Sequence, residues 1–149
     1  MSASTIHASA VLVGARAVLI RGPSGAGKSQ LALDLIAAAA GGLLPFARLV
    51  ADDRTQVEAV GGRLLARPAP ALAGLIEVRG LGIRRLPFEP VAVVGLVVDL
   101  AADDAQRLPA PENTRVDIAG VTLRRLAVAP GENALAPLIA ALHLTESAA

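Results

Sequence analysis

The chain has no cysteine, tryptophan or tyrosine, and only two phenylalanines and one methionine among its 149 residues. Without cysteine there can be no disulfide framework, thiolate nucleophile or zinc–thiolate site, so any chemistry must use oxygen and nitrogen groups. That lack suits a reducing cytoplasm, which is the expected location. With so few rings there is almost nothing for bases to stack on, and a formal net charge of +1 offers no basic excess for nucleic acid or an anionic membrane. Long apolar runs are missing too. Although 54% of residues are hydrophobic, the stretch from Leu35 to Arg48 is broken by Gly41, Gly42 and Pro45, short of the roughly 18 apolar residues that a membrane span needs. Neither nucleic acid nor membrane is expected as a partner. One globular domain over residues 1–149 is the expected organisation. No acidic residue precedes Asp34, which gives the start a superficial transit-peptide look; cleavage there would remove the glycine loop described below.

The order of elements reads as a strand-rich α/β domain. Ile6–Val13 and Ala15–Ile20 suggest two strands around Gly14, and Gly27–Ala40 a helix stopped by Gly41-Gly42. Phe46–Val50 and Gln56–Val60 read as strands on either side of a polar Asp52-Asp53-Arg54 corner, with Gly61-Gly62 turning the chain into Arg63–Ala66. Leu75–Val78 is a further strand, Val91–Leu100 a central buried one, and Ala101–Arg115 a loop. Val116–Val128 forms a last hairpin and Asn133–Leu144 a closing helix. The expected class is a mixed β-sheet with flanking helices.

Thirteen of the fourteen cationic residues are arginine, and the one lysine is Lys28. It lies in Gly22-Pro23-Ser24-Gly25-Ala26-Gly27-Lys28-Ser29, a full match to GxxxxGK[ST] between a strand and a helix. In such a loop glycines let successive N–H groups point at phosphate oxygens, Lys28 reaches the β and γ phosphates, and the Ser29 hydroxyl holds Mg²⁺. Residues 22–29 are therefore the expected nucleotide-binding set. Asp52 and Asp53 end an apolar strand, where a Mg²⁺ ligand or a proton acceptor would sit; Asp103-Asp104 reads instead as a solvated loop pair. Glu77 and Arg79, two apart on an alternating strand, fit either a surface pair or a second carboxylate and cation for phosphoryl transfer. A lone imidazole on an apolar strand, such as His7, is more often structural than catalytic, and His143 is read as structural.

Together these residues resemble one family, the HPr kinase/phosphorylases, in their catalytic domain. The likeness rests on His7 fifteen positions before Gly22, the loop Gly22–Ser29, the corner Leu49-Val50-Ala51-Asp52-Asp53-Arg54, and Glu77-Val78-Arg79-Gly80-Leu81-Gly82-Ile83. The resemblance implies a P-loop kinase domain of the HPr kinase/phosphoenolpyruvate carboxykinase-like type. It implies an ATP- and Mg²⁺-dependent enzyme that phosphorylates a serine of the phosphocarrier HPr in the phosphotransferase system. In many members the phosphate is also removed by phosphorolysis, and the assembly is a hexamer. By the same likeness Asp52 is the general base and acid, Ser29, Asp53 and Glu77 form the Mg²⁺ environment, and His7 and Arg79 lie at the phosphate end. The chain departs from the family in lacking its N-terminal domain, as in a short α-proteobacterial-type form. It also departs in having Gln30 where an acid is usual, in the shortness of the segment between Ile83 and Val91, and in Arg84-Arg85.

Two other functions fit parts of the pattern. A nucleotide-binding sensor without transfer activity would need Lys28 and Ser29 but not Asp52, Asp53 and Glu77. A P-loop kinase for a small metabolite would need an arginine-rich lid, and no such insertion is visible. In a small chain this apolar, self-association is expected.

Overall fold

The computed structural model describes residues 4–144, within which ten strands and two helices follow one another. β1 (Ser4–Val13) and β2 (Arg16–Arg21) make an antiparallel hairpin through Gly14, whose φ of 63° suits the tight turn. Strand alternation splits its side chains. Val11, Val13, Val18 and Ile20 face one apolar cluster, and Ala8, Ala10, Ala17 and Leu19 another. The first cluster is roofed by helix α1 (Lys28–Ala40), through Leu31, Ala32 and Leu35, and by α2 (Leu135–His143), through Leu138. Each large aliphatic side chain buried here stabilises the fold by roughly 1.5–3 kcal/mol. Helix α1 stops as expected, where the Gly41 and Gly42 amides bond back to the Ala37 and Ala39 carbonyls at 2.9 and 3.1 Å.

The polar corner lies between two strands, as expected, and both are held by a third. β3 (Ala47–Ala51) and β4 (Arg54–Val60) both run antiparallel to β1, β3 along its second half and β4 along its first. They form one ribbon, kinked at Asp52-Asp53, where Asp53 takes a φ of 64° and its carbonyl accepts from the Ala8 amide at 3.0 Å. The kink is held by β1, which local sequence signals could not show.

β5 (Arg63–Pro68) returns along β4. β8 (Ala92–Asp99) is the hub: it pairs parallel with β2, antiparallel with β5 at Ala92 and Val93, and parallel with β10 (Val121–Ala127). The ladders β1-β2-β8-β5-β4 thereby close on themselves. The enclosed cluster uses small side chains, among them Ala8, Ala10, Ala17, Ala66 and Ala92. At Gly95 a Cβ would stand 2.8 Å from the Arg16 Cβ, so glycine permits the close β2–β8 approach.

Between these elements β6 (Leu75–Val78) and β7 (Gly82–Arg85) form a separate hairpin. The second strand is one the sequence reading did not assign. β6 ends at Val78, whose carbonyl accepts from the Leu81 amide at 2.9 Å, so Arg79 sits in the turn rather than on the strand with Glu77. β9 (Arg115–Ile118) pairs with β10 as the expected last hairpin. Asp104, exposed in its loop as expected, also takes two hydrogen bonds from Arg125 at 2.8 and 2.9 Å. The mixed sheet and flanking helices are as expected; the layout is strand-rich rather than an alternation of strands and helices. Among the described residues no helix is long and apolar enough to cross a membrane.

Candidate active site

β2, β3, β8 and β10 share one polarity, so their carboxyl ends at Arg21, Ala51, Asp99 and Ala127 gather at one end of the sheet. The glycine loop springs from the first of them. Gly25 and Gly27 have φ values of 83° and 99°, a left-handed backbone in which other residues are strained. The loop feeds directly into α1, whose first turn has no acidic residue. Its first amides have no intrahelical acceptor, and the helix dipole adds partial positive charge, a combination suited to an anion. Lys28, only 6% exposed, folds across the loop and donates from Nζ to the Gly22 and Pro23 carbonyls at 3.0 and 3.2 Å.

Asp52 is 7% exposed at the kink. Its Oδ1 accepts from the Ser29 hydroxyl at 2.7 Å and from the Ser9 hydroxyl at 2.8 Å, and its Oδ2 from the Glu77 amide at 3.1 Å. One carboxylate thus ties the loop's serine, strand β1 and hairpin β6–β7 together. Ser9 was not anticipated as a site residue. It is fully buried and also accepts from the Asp53 amide at 3.1 Å, so it fixes both aspartates. A hydroxyl in the apolar run Ala8-Ser9-Ala10-Val11 was the available signal.

Asp53 points the other way. Its carboxylate, 54% exposed, accepts from His7 Nε2 at 2.5 Å. A cleft of about 600 Å³ runs along these groups, lined by Lys28, Ser29, Asp52, Asp53, Glu77 and Arg79 among others. His7 touches the site through Asp53. His143 lies exposed in the last turn of α2 and takes no part.

The donor set around the cleft is all oxygen: the Ser29 hydroxyl and the Asp52, Asp53 and Glu77 carboxylates. Among the described residues no three histidines, aspartates or glutamates stand together as a ready cage. Hard oxygen donors in small number fit Mg²⁺, which keeps several waters and takes one or two carboxylates beside substrate phosphates.

A second network lies beneath the loop. Arg21, the residue before Gly22, donates from Nε and Nη2 to both oxygens of Asp99 at 2.7 and 2.8 Å, and Arg125 Nε adds a third bond at 2.6 Å. Burial opposes ionisation of Asp99, but the hydrogen bonds from Arg21 and Arg125 outweigh it and hold its carboxyl below the usual carboxylate range.

Residues 1–88 match the family model described as HPr Serine kinase C-terminal domain. Among curated proteins, the chain is 36% identical over 152 residues to "HPr kinase/phosphorylase" of Bordetella petrii, covering 93% of this chain and 46% of that protein. It is 37% identical over 139 residues to the protein of that name from Chromobacterium violaceum, covering 83% and 41%. For the Clostridium tetani protein the values are 34% over 129 residues, 78% and 40%. The chain thus spans less than half the length of these relatives. The solved structure of the HPr(Ser) kinase/phosphatase from Coxiella burnetii superposes with a TM-score of 0.73 over 94% of this chain and 88% of that one. At 24% identity that likeness concerns the fold.

Proposed function

The chain belongs to the family of HPr serine kinase C-terminal domains, and on that premise we propose that it is the phosphoryl-transfer unit of an ATP-dependent protein-serine kinase. Its acceptor is a serine of an HPr-type phosphocarrier of the phosphotransferase system. Residues 1–149 act as one catalytic unit in this reading, in the cytoplasm and as a homo-oligomer.

The observation that carries the reading is the 2.7 Å hydrogen bond between Ser29 and Asp52, which joins the glycine loop to the paired aspartates in one cleft. A sensor would need the loop and its serine, whereas here three carboxylates, Asp52, Asp53 and Glu77, line the same cleft and leave one to spare as a proton acceptor. Residues Gly22 to Ser29 hold the nucleotide phosphates, with Lys28 and Arg79 offsetting their charge. The seryl oxygen attacks the γ-phosphorus in line, the bond to the β-phosphate oxygen breaks, and Asp52 takes the seryl proton. In phosphorolysis, an oxygen of inorganic phosphate attacks the phosphoserine phosphorus, the bond to the seryl oxygen breaks as pyrophosphate forms, and Asp52 returns the proton to the departing seryl oxygen. Ser29, Asp53 and Glu77 would hold Mg²⁺, which neutralises phosphate charge when bound.

A specific observation favours a second division of roles. Asp52 already accepts three hydrogen bonds and is buried, whereas Asp53 is half exposed in the cleft and oriented by His7. In that version Asp53 takes the proton and Asp52 positions Ser29.

The test incubates the purified chain with Mg-ATP and an HPr-type carrier from the same genome, with phosphoserine read by mass spectrometry. A single phosphoserine on the carrier is expected. ATP binding without phosphoserine would sink the kinase reading and leave the sensor.

A further inference from the structure

Four charged side chains run in series beneath the glycine loop, from Arg21 through Asp99 and Arg125 to Asp104. Two cations face two carboxylates, so the set is neutral and offers a phosphate no net attraction. Arg21 lines no part of the clefts beside the loop. Direction is what the set fixes. The Arg21 guanidinium holds both oxygens of Asp99 in a planar fork that a lysine could not copy. Arg125, 12% exposed, adds a bond to the same carboxylate, and its other nitrogens hold Asp104 and the Asn113 carbonyl. Such pairs add little net stability over apolar side chains of the same volume, but they constrain geometry.

The geometry constrained is that of the loop's first residues. Arg21 and Asp99 are the last pair of the β2–β8 ladder, and the Leu100 amide donates to the Arg21 carbonyl at 2.8 Å. Gly22 then lies flush on Leu100, where a Cβ would stand 3.1 Å from the Leu100 Cβ and 3.3 Å from its carbonyl oxygen. The carbonyls of Gly22 and Pro23 are the two acceptors of the Lys28 ammonium group. The backbone that leaves Arg21 therefore sets where that ammonium sits. We propose that Arg21 is a positioning residue for Lys28: clamped by Asp99 and Arg125, it holds in place the Gly22–Pro23 backbone on which the ammonium lies. This rests on the reading that residues 22–29 hold the nucleotide phosphates. Without the clamp the loop and its lysine lose their fixed place, and a phosphate chain must order them as it binds. A nucleotide and a bare polyphosphate should suffer alike, because the ordering is the same for both.

The full chain has one lysine, so isotope-labelled lysine gives a single side-chain signal, that of Lys28. Its NMR relaxation reports whether the side chain is held. In the ligand-free protein it should be ordered in the wild type and mobile in Arg21→Gln. By calorimetry Arg21→Gln should weaken Mg-ATP and inorganic tripolyphosphate alike, by about fivefold or more. Arg21→Lys keeps the charge but not the fork; it should weaken both ligands in the same sense, and it decides the matter if Arg21→Gln does not fold. Leu64→Ala, in the enclosed cluster that contains no loop residue, separates position from stability: it should lower Tm yet keep Lys28 ordered and both affinities intact. The proposal is overturned if the Arg21 variants bind both ligands as the wild type does, if Lys28 is equally mobile in the wild type, or if Leu64→Ala weakens binding as much. A wild type that binds neither ATP nor tripolyphosphate would sink the phosphate-loop reading itself, and the proposal with it.

Discussion

Arg21 grips both carboxylate oxygens of Asp99 one residue before the glycine loop begins. With Arg125 on the same carboxylate, the pair joins the ends of β2, β8 and β10. Asp99→Asn removes the charge that faces Arg125, largely buried, and Arg21, a third exposed. Breaking such a pair costs about 3 kcal/mol, which for a domain of this size lowers Tm by roughly 6–12 °C, measurable by thermal denaturation. The pH dependence has a definite sign. The folded-state pKa of Asp99 is depressed below its ordinary 3.8, so its contribution is complete above that value and is lost as pH falls through the lowered one. Wild type should therefore lose stability over that acid range more steeply than Asp99→Asn.

Lys28 is the one lysine in the chain and lies across the loop. Lys28→Ala should weaken ATP binding about 10–100-fold, the worth of charge-assisted hydrogen bonds to phosphate. Unchanged affinity by calorimetry would remove the loop from its assigned role.

The two aspartates can be separated kinetically. Loss of the proton acceptor costs on the order of 10²–10⁴-fold in rate while ATP affinity changes little. Asp52→Asn should show that loss if Asp52 is the base. If Asp53→Asn shows it and Asp52→Asn does not, the roles exchange as the His7 contact suggests.

Ser9→Ala tests the support behind both. It leaves the Asp53 amide without its acceptor and strips one hydroxyl from Asp52, at a cost of about 1–3 kcal/mol. Urea denaturation should register that loss. Phosphoryl transfer should slow while ATP affinity stays near wild type; unchanged kcat would make Ser9 a purely structural residue.

What the sequence made legible is what local signals carry. The loop, α1 with its double-glycine stop, and the β-branched hub strand β8 are each specified by contiguous residues. Association across the chain was not legible. Nothing near Asp52 and Asp53 announces that β1 runs alongside and turns a corner into a kink, and nothing near Asp104 announces Arg125. The same limit explains Arg79: alternation extends Glu77's strand through it, but the Val78–Leu81 hydrogen bond ends the strand one residue earlier. Ser9 and the Arg21–Asp99 pair are long-range in the same sense.

The closed circuit of ladders bears on how much chain is needed to fold. The family model matches residues 1–88, yet the strand that shuts the circuit, β8, begins at Ala92. A fragment ending at 88 would leave β2 and β5 with bare, strongly apolar edges, a template for pairing with other copies. The boundary of sequence similarity is thus not a boundary of foldability, and such a fragment should precipitate where the whole chain stays monodisperse.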